Sequence, residues 1–87
     1  HEQNLKFKIE ALRNKLLGAW AAEVKGLDQE KTEQYIKDVV KSDLQESGDE
    51  DVFRKLKADL EGIVDDQDIR SKMKECLQTA KDKFSSS

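Results

Sequence analysis

Eighty-seven residues pass without a single proline, and the four glycines fall at Gly18, Gly26, Gly48 and Gly62. Nothing except those glycines obliges a helix to break, because proline is the residue that removes a helical donor and clashes with the preceding turn. Three of the glycines stand between segments of helical periodicity, and each is followed within three residues by an aspartate that can cap the next helix. The chain therefore reads as helices of about 2–25, 28–47, 50–61 and 66–84, with 85–87 a frayed serine tail. Gly26 with apolar Leu27 ends the first. Asp28 caps the second, and Gly48 stops it. Asp49 opens the third, with Glu50 and Asp51 where carboxylates complement the positive end of the helix dipole. Gly62 closes it, and Asp65 with Asp68 three residues on makes a relative of the capping box for the fourth.

The connections are short, so consecutive helices are expected to lie antiparallel, the first two as a long hairpin. At this length one hydrophobic core is the expectation, and the fold class is all-α, a single-domain four-helix bundle. The charged fraction of 40% exceeds the hydrophobic 36%, yet the apolar residues recur at helical spacing, which disordered chains seldom show. Sixteen basic and 19 acidic residues alternate along the chain to a net charge of −3, so the basic footprint of a nucleic-acid binder is missing. No apolar run approaches the roughly 20 residues needed to cross a bilayer. A cytoplasmic location is expected, and the single Cys76 fits a reducing compartment and a packing role on an apolar face.

Helix 4 aligns Ile69, Met73, Cys76, Leu77, Ala80 and Phe84, and helix 3 aligns Val52, Phe53, Leu56 and Leu60, both as ordinary one-faced stripes. Helix 1 differs. Leu5, Ile9, Leu12, Leu16, Leu17, Trp20 and Val24 form one broad stripe, with Trp20 as its anchor, while Phe7, Ala11, Gly18 and Ala22, with Asn14 at their edge, form a second. A second apolar face needs a second neighbour. Either helix 1 is central and packed on both sides, or the Phe7, Ala11, Asn14, Gly18, Ala22 face is a docking strip for a partner. Helix 2 carries Tyr35, Ile36, Val39, Val40 and Leu44 on its stripe with Asp43 among them. A hairpin turning near residues 26–28 brings Arg13 level with Asp43, so an ion pair that fixes helix register is expected, against the alternative that both side chains reach solvent.

Catalytic chemistry finds no support. His1 is the one histidine and no nucleophile has a base beside it. The acidic runs around Asp49 and Asp65 do not follow the twelve-residue calcium loop and serve better as helix starts. Neither metal nor cofactor is required by any motif, and the chemistry stops at a helical module that binds another protein.

The segments Arg13-Asn14-Lys15-Leu16-Leu17-Gly18-Ala19-Trp20-Ala21-Ala22-Glu23 and Gly48-Asp49-Glu50-Asp51-Val52-Phe53-Arg54-Lys55 resemble the zeta-type inhibitor subunit of the alpha-proteobacterial F-type ATP synthase. Asp43-Leu44-Gln45-Glu46 is similar to that family's acidic stretch, while Leu12 and Ala19 depart from its pattern, standing where Arg and Leu are expected. The resemblance implies a four-helix bundle that binds the catalytic head of the synthase and blocks ATP hydrolysis, peripheral to the inner membrane and not inserted in it. It further implies an N-terminal inhibitory segment, which this chain is expected to lack, and weak ATP or ADP binding that no particular residue accounts for. Two readings compete with it: a generic helical adaptor, and an adenine-nucleotide-sensing module built on Arg13 and neighbouring lysines.

Overall fold

The computed structural model describes residues 2–42 and 50–85, with side chains from Leu5 onward within those ranges. Over these residues the chain forms α1 (Glu2–Lys25), α2 (Gln29–Ser42), α3 (Glu50–Asp59) and α4 (Asp66–Ser85). The expected all-α four-helix architecture is what folds. Residues 43–49 lie outside the described set, and with them the expected end of the second helix, the Asp49 cap and the Asp43 half of the ion pair.

Local hydrogen bonds explain the end of α1, the start of α2, the end of α3 and the start of α4. Gly26 adopts φ 73°, its N–H donates to the Glu23 carbonyl at 3.0 Å, and Leu27 N–H donates to the Ala22 carbonyl at 3.0 Å. This is the Schellman arrangement, and it needs a residue free to enter the left-handed region. Asp28 Oδ1 accepts from Lys31 N–H at 2.8 Å, the bond of an N-cap to the third helical residue. The third helix ends at Asp59, two residues before the expected limit; the Leu60 carbonyl accepts from Ile63 and Val64 in the turn around Gly62, whose φ is 81°. Asp65 and Asp68 form the reciprocal box, Asp68 N–H donating to Asp65 Oδ1 at 2.8 Å and Asp65 N–H reaching Asp68 Oδ2 at 3.5 Å.

The 24 residues of α1 rise about 36 Å at 1.5 Å each, nearly the 39 Å length of the molecule. α1 packs chiefly on α2 and α4, and α3 touches both of those helices. The core collects Leu17, Ala21 and Ala22 from α1, Tyr35 and Val39 from α2, Val52 and Leu56 from α3, Leu60 from the turn, and Ile69, Met73 and Cys76 from α4.

The deepest line of α1 runs between the two stripes expected for it. Arg13, Asn14, Leu17, Gly18, Ala21 and Ala22 are buried, whereas Ile9, Leu12, Leu16, Trp20 and Val24 are half-buried and Leu5 is 44% exposed. A helix held between two neighbours buries most completely the residues on the bisector of its two contacts, and large side chains at the edges pack against one neighbour each. The small residues let that bisector close. A Cβ added to Gly18 would lie 2.9 Å from the Ile36 Cα, so α1 and α2 meet there at backbone distance.

Candidate partner-binding surfaces

Of the two readings open for the second face of helix 1, packing within the fold accounts for most of it. Asn14, Gly18 and Ala22 are buried within the chain's own fold and Ala11 is half-buried, so of the partner-contact candidates only Phe7, 61% exposed, is displayed. The reason is steric: these residues are small enough to admit α2. Trp20 packs partly buried against the core with Lys72 Nζ 6.0 Å from its ring, at the α1/α4 edge, and so anchors one side of the core and not its centre. Arg13 is 2% exposed, and its Nε donates to Asn14 Oδ1 at 3.1 Å, which holds two polar side chains together beneath the surface. Whether Asp43 completes this arrangement lies outside the described residues.

Among the described residues, accessible apolar side chains are prominent in three surface regions. At the start of α1, Leu5 and Ile9 face Leu77 of α4 across an open groove rimmed by Lys6, Glu10 and Lys81, with exposed Phe7 close by in sequence. Along α1 and α2, Ile36 and Val40 floor a second groove between Lys15, Lys37 and Lys41. Ile63, 53% exposed, stands in the acidic turn before α4. Helical periodicity puts Ile36 and Val40 on the core stripe of α2, yet both are only half-buried, and the i, i+4 pairs 36/40 and 37/41 set two lysines beside them.

Elsewhere two sets of polar side chains hold the bundle together. The Tyr35 hydroxyl donates to Asp59 Oδ2 at 2.7 Å, Lys55 pairs with the same oxygen at 3.1 Å, and Lys55 and Lys25 approach the Tyr35 ring at 5.1 and 5.3 Å. Burial and the adjacent carboxylate push the Tyr35 hydroxyl well above its ordinary range. Burial alone would raise the Asp59 carboxyl, but the bonds from Tyr35 and Lys55 outweigh it and leave it lowered. This clamp joins α2 to α3. Arg70 joins α4 to α3, its guanidinium 3.6 Å from the Phe53 ring centroid and its Nη2 3.2 Å from both Glu50 carboxylate oxygens. Cys76 is buried and burial pushes its thiol up, the condition of a packing cysteine and not of a nucleophile. Among the described residues no group of three or more His, Cys, Asp or Glu side chains is placed to hold a metal ion, and no helix is long and apolar enough to cross a membrane.

A helical bundle with several charged groups engaged at helix ends and in interhelical clamps, and whose accessible apolar patches are open grooves, has the make-up of a protein-binding module. The family comparison makes it specific: residues 1–83 match the model of the ATPase inhibitor subunit zeta, and the chain belongs to that family. It is therefore a member of a family of regulatory inhibitor subunits. The fold is also similar to a protein known from a solution NMR structure, with 40% identity over 94% of this chain and 96% of that one and a TM-score of 0.85. No curated protein matches the chain.

Proposed function

We propose that the chain inhibits ATP hydrolysis by an F-type ATP synthase, by binding its catalytic head from the cytoplasmic side and without entering the membrane. The family match over residues 1–83 carries this reading. The geometry supports a division of labour. The clamped core makes the bundle a rigid anchor, and the start of α1, where residues 5–8 are all exposed and include Leu5 and Phe7, supplies the apolar side chains suited to insertion between subunits of the head. The inhibitory contact is then made at this end of α1, and α2 to α4 hold it in place.

The test is hydrolysis by purified synthase, titrated both with the unsubstituted chain and with the variant Leu5→Ser with Phe7→Ser. The unsubstituted chain should suppress hydrolysis and the variant should bind but inhibit weakly. Undiminished hydrolysis with both would refute the inhibitor reading. Full inhibition by the variant would refute the division of labour alone.

A further inference from the structure

We propose that the groove between α1 and α2 is the surface by which the bundle anchors to its partner, and that its occupant is an acidic amphipathic helix of that partner. This deepens the inhibitor reading and rests on it for the partner's identity. Three observations point there.

The first is shape. Gly18 brings α1 and α2 to backbone distance at Ile36, and the groove lies just outside this seam with Ile36 and Val40, one helical turn apart, as a half-buried apolar floor. Such a floor takes apolar side chains spaced i, i+3 or i+4 on an incoming helix.

The second is charge. Lys15 on α1 and Lys37 and Lys41 on α2 line the same groove, and the one carboxylate among the lining residues, Asp38, is engaged by Gln34 Nε2 at 3.1 Å. No described carboxylate pairs with any of the three lysines, whereas Lys55, Lys57, Lys72 and Arg70 each meet one. The chain as a whole is acidic at −3, so a groove lined by three lysines and the single carboxylate of Asp38, a local balance of +2, runs against its overall balance. Complementarity then selects a partner segment with carboxylates flanking its apolar row.

The third is the contrast with the other accessible patches. The groove at the start of α1 has the same balance, Lys6, Arg13 and Lys81 with Glu10, but its Arg13 is buried and bonded to Asn14, so it presents two accessible cations where the α1/α2 groove presents three, and Ile63 sits among acidic residues that select the opposite sign.

The experiment measures binding of the chain to the purified catalytic head by surface plasmon resonance, for the unsubstituted protein and for the triple variant Lys15→Glu, Lys37→Glu, Lys41→Glu. All three lysines are on helix surfaces, and circular dichroism on the variant confirms that helicity and the melting midpoint are kept. The triple variant should bind at least tenfold more weakly at low salt, and the difference should shrink as salt is raised. A control reversal on α4, Lys74→Glu, should leave binding within twofold. Equal binding by unsubstituted and triple-variant chains overturns the groove assignment while the inhibitor reading stands. Absence of binding by the unsubstituted chain overturns both. Sedimentation velocity of the chain alone supplies the remaining arm: a dimer that the triple substitution dissolves would show the groove to be filled by a second copy, and would overturn the proposal.

Discussion

Replacing Gly18 by alanine sets helix propensity against packing at a single atom. In the interior of α1 the added methyl favours the helix by about 0.8–1 kcal/mol, since glycine loses more backbone freedom on folding. The same methyl would lie 2.9 Å from the Ile36 Cα and 3.1 Å from its Cγ1. Carbon atoms pack at about 3.5–4.0 Å, so α1 and α2 must part by roughly 0.6 Å or more at this level, and a gap of that size forfeits about a quarter to a half of the dispersion energy of the contacts it opens. Overpacking of this kind costs roughly 1–3 kcal/mol. The nearest atom is backbone, so rotation of the isoleucine side chain cannot relieve it, and the middle of that range applies. The balance is a net loss of about 1 kcal/mol, which for a domain of this size lowers the melting midpoint by roughly 4–8 °C.

Thermal and urea denaturation followed by circular dichroism at 222 nm would measure it. Ala19→Gly supplies the propensity alone, because Ala19 is exposed on the same helix; it should cost about 1 kcal/mol. Adding Ile36→Ala to Gly18→Ala removes the Cγ1 contact and leaves the Cα, so relief of the methyl's clash should be partial. If Gly18→Ala raises stability by as much as Ala19→Gly lowers it, the close approach of α1 and α2 is wrong, and with it the reason for the small residues in the seam.

Tyr35→Phe should cost about 1–2 kcal/mol near neutral pH, toward the lower end for a bond to a charged group because Asp59 keeps Lys55. The Asp59 carboxyl is lowered in the fold, so its contribution is present above its ordinary value of 3.8 and lost as pH falls through the folded value. The Tyr35 hydroxyl is raised, so its contribution is complete below its ordinary 10.0 and declines as pH rises past it. The stability difference between the two proteins should therefore be widest between these limits and narrow beyond each; a difference independent of pH from 3 to 11 would rule out the clamp. Asp28→Ala should destabilise by about 1 kcal/mol in urea and Asp28→Ser by much less, since serine also accepts from the N–H of Lys31; equal losses would show that the cap is not the cause. Arg13→Met and Asp43→Asn, measured singly and together, should show a coupling above about 1 kcal/mol if the two side chains pair, and additive losses would exclude the pairing.

That the chain forms four helices, and where α1 stops and α2 and α4 start, was legible residue by residue: Gly26, Asp28, Asp65 and Asp68 act through hydrogen bonds that span no more than five residues, so a short stretch of sequence contains both partners, whereas α3 stops at Asp59, two residues short of its expected limit. The family, too, was carried by contiguous segments, 13–23 and 48–55, and the match over residues 1–83 agrees with it. The use of each helix face was not local. Gly18, Ala22 and Asn14 presented a face that a partner or a neighbouring helix could equally cover, and only the approach of α2 to backbone distance at Ile36 made it interior. Tyr35 and Asp59 are 24 positions apart, and Arg70 lies 20 from Glu50, separations over which sequence periodicity carries no information about contact. The basic groove is of the same kind, for it exists only where Lys15 of one helix comes beside Lys37 and Lys41 of the next. Sequence alone determined the helices because their signals close on themselves within a turn. The tertiary structure decided which surfaces remain for a partner, because burial depends on which helices meet and how closely.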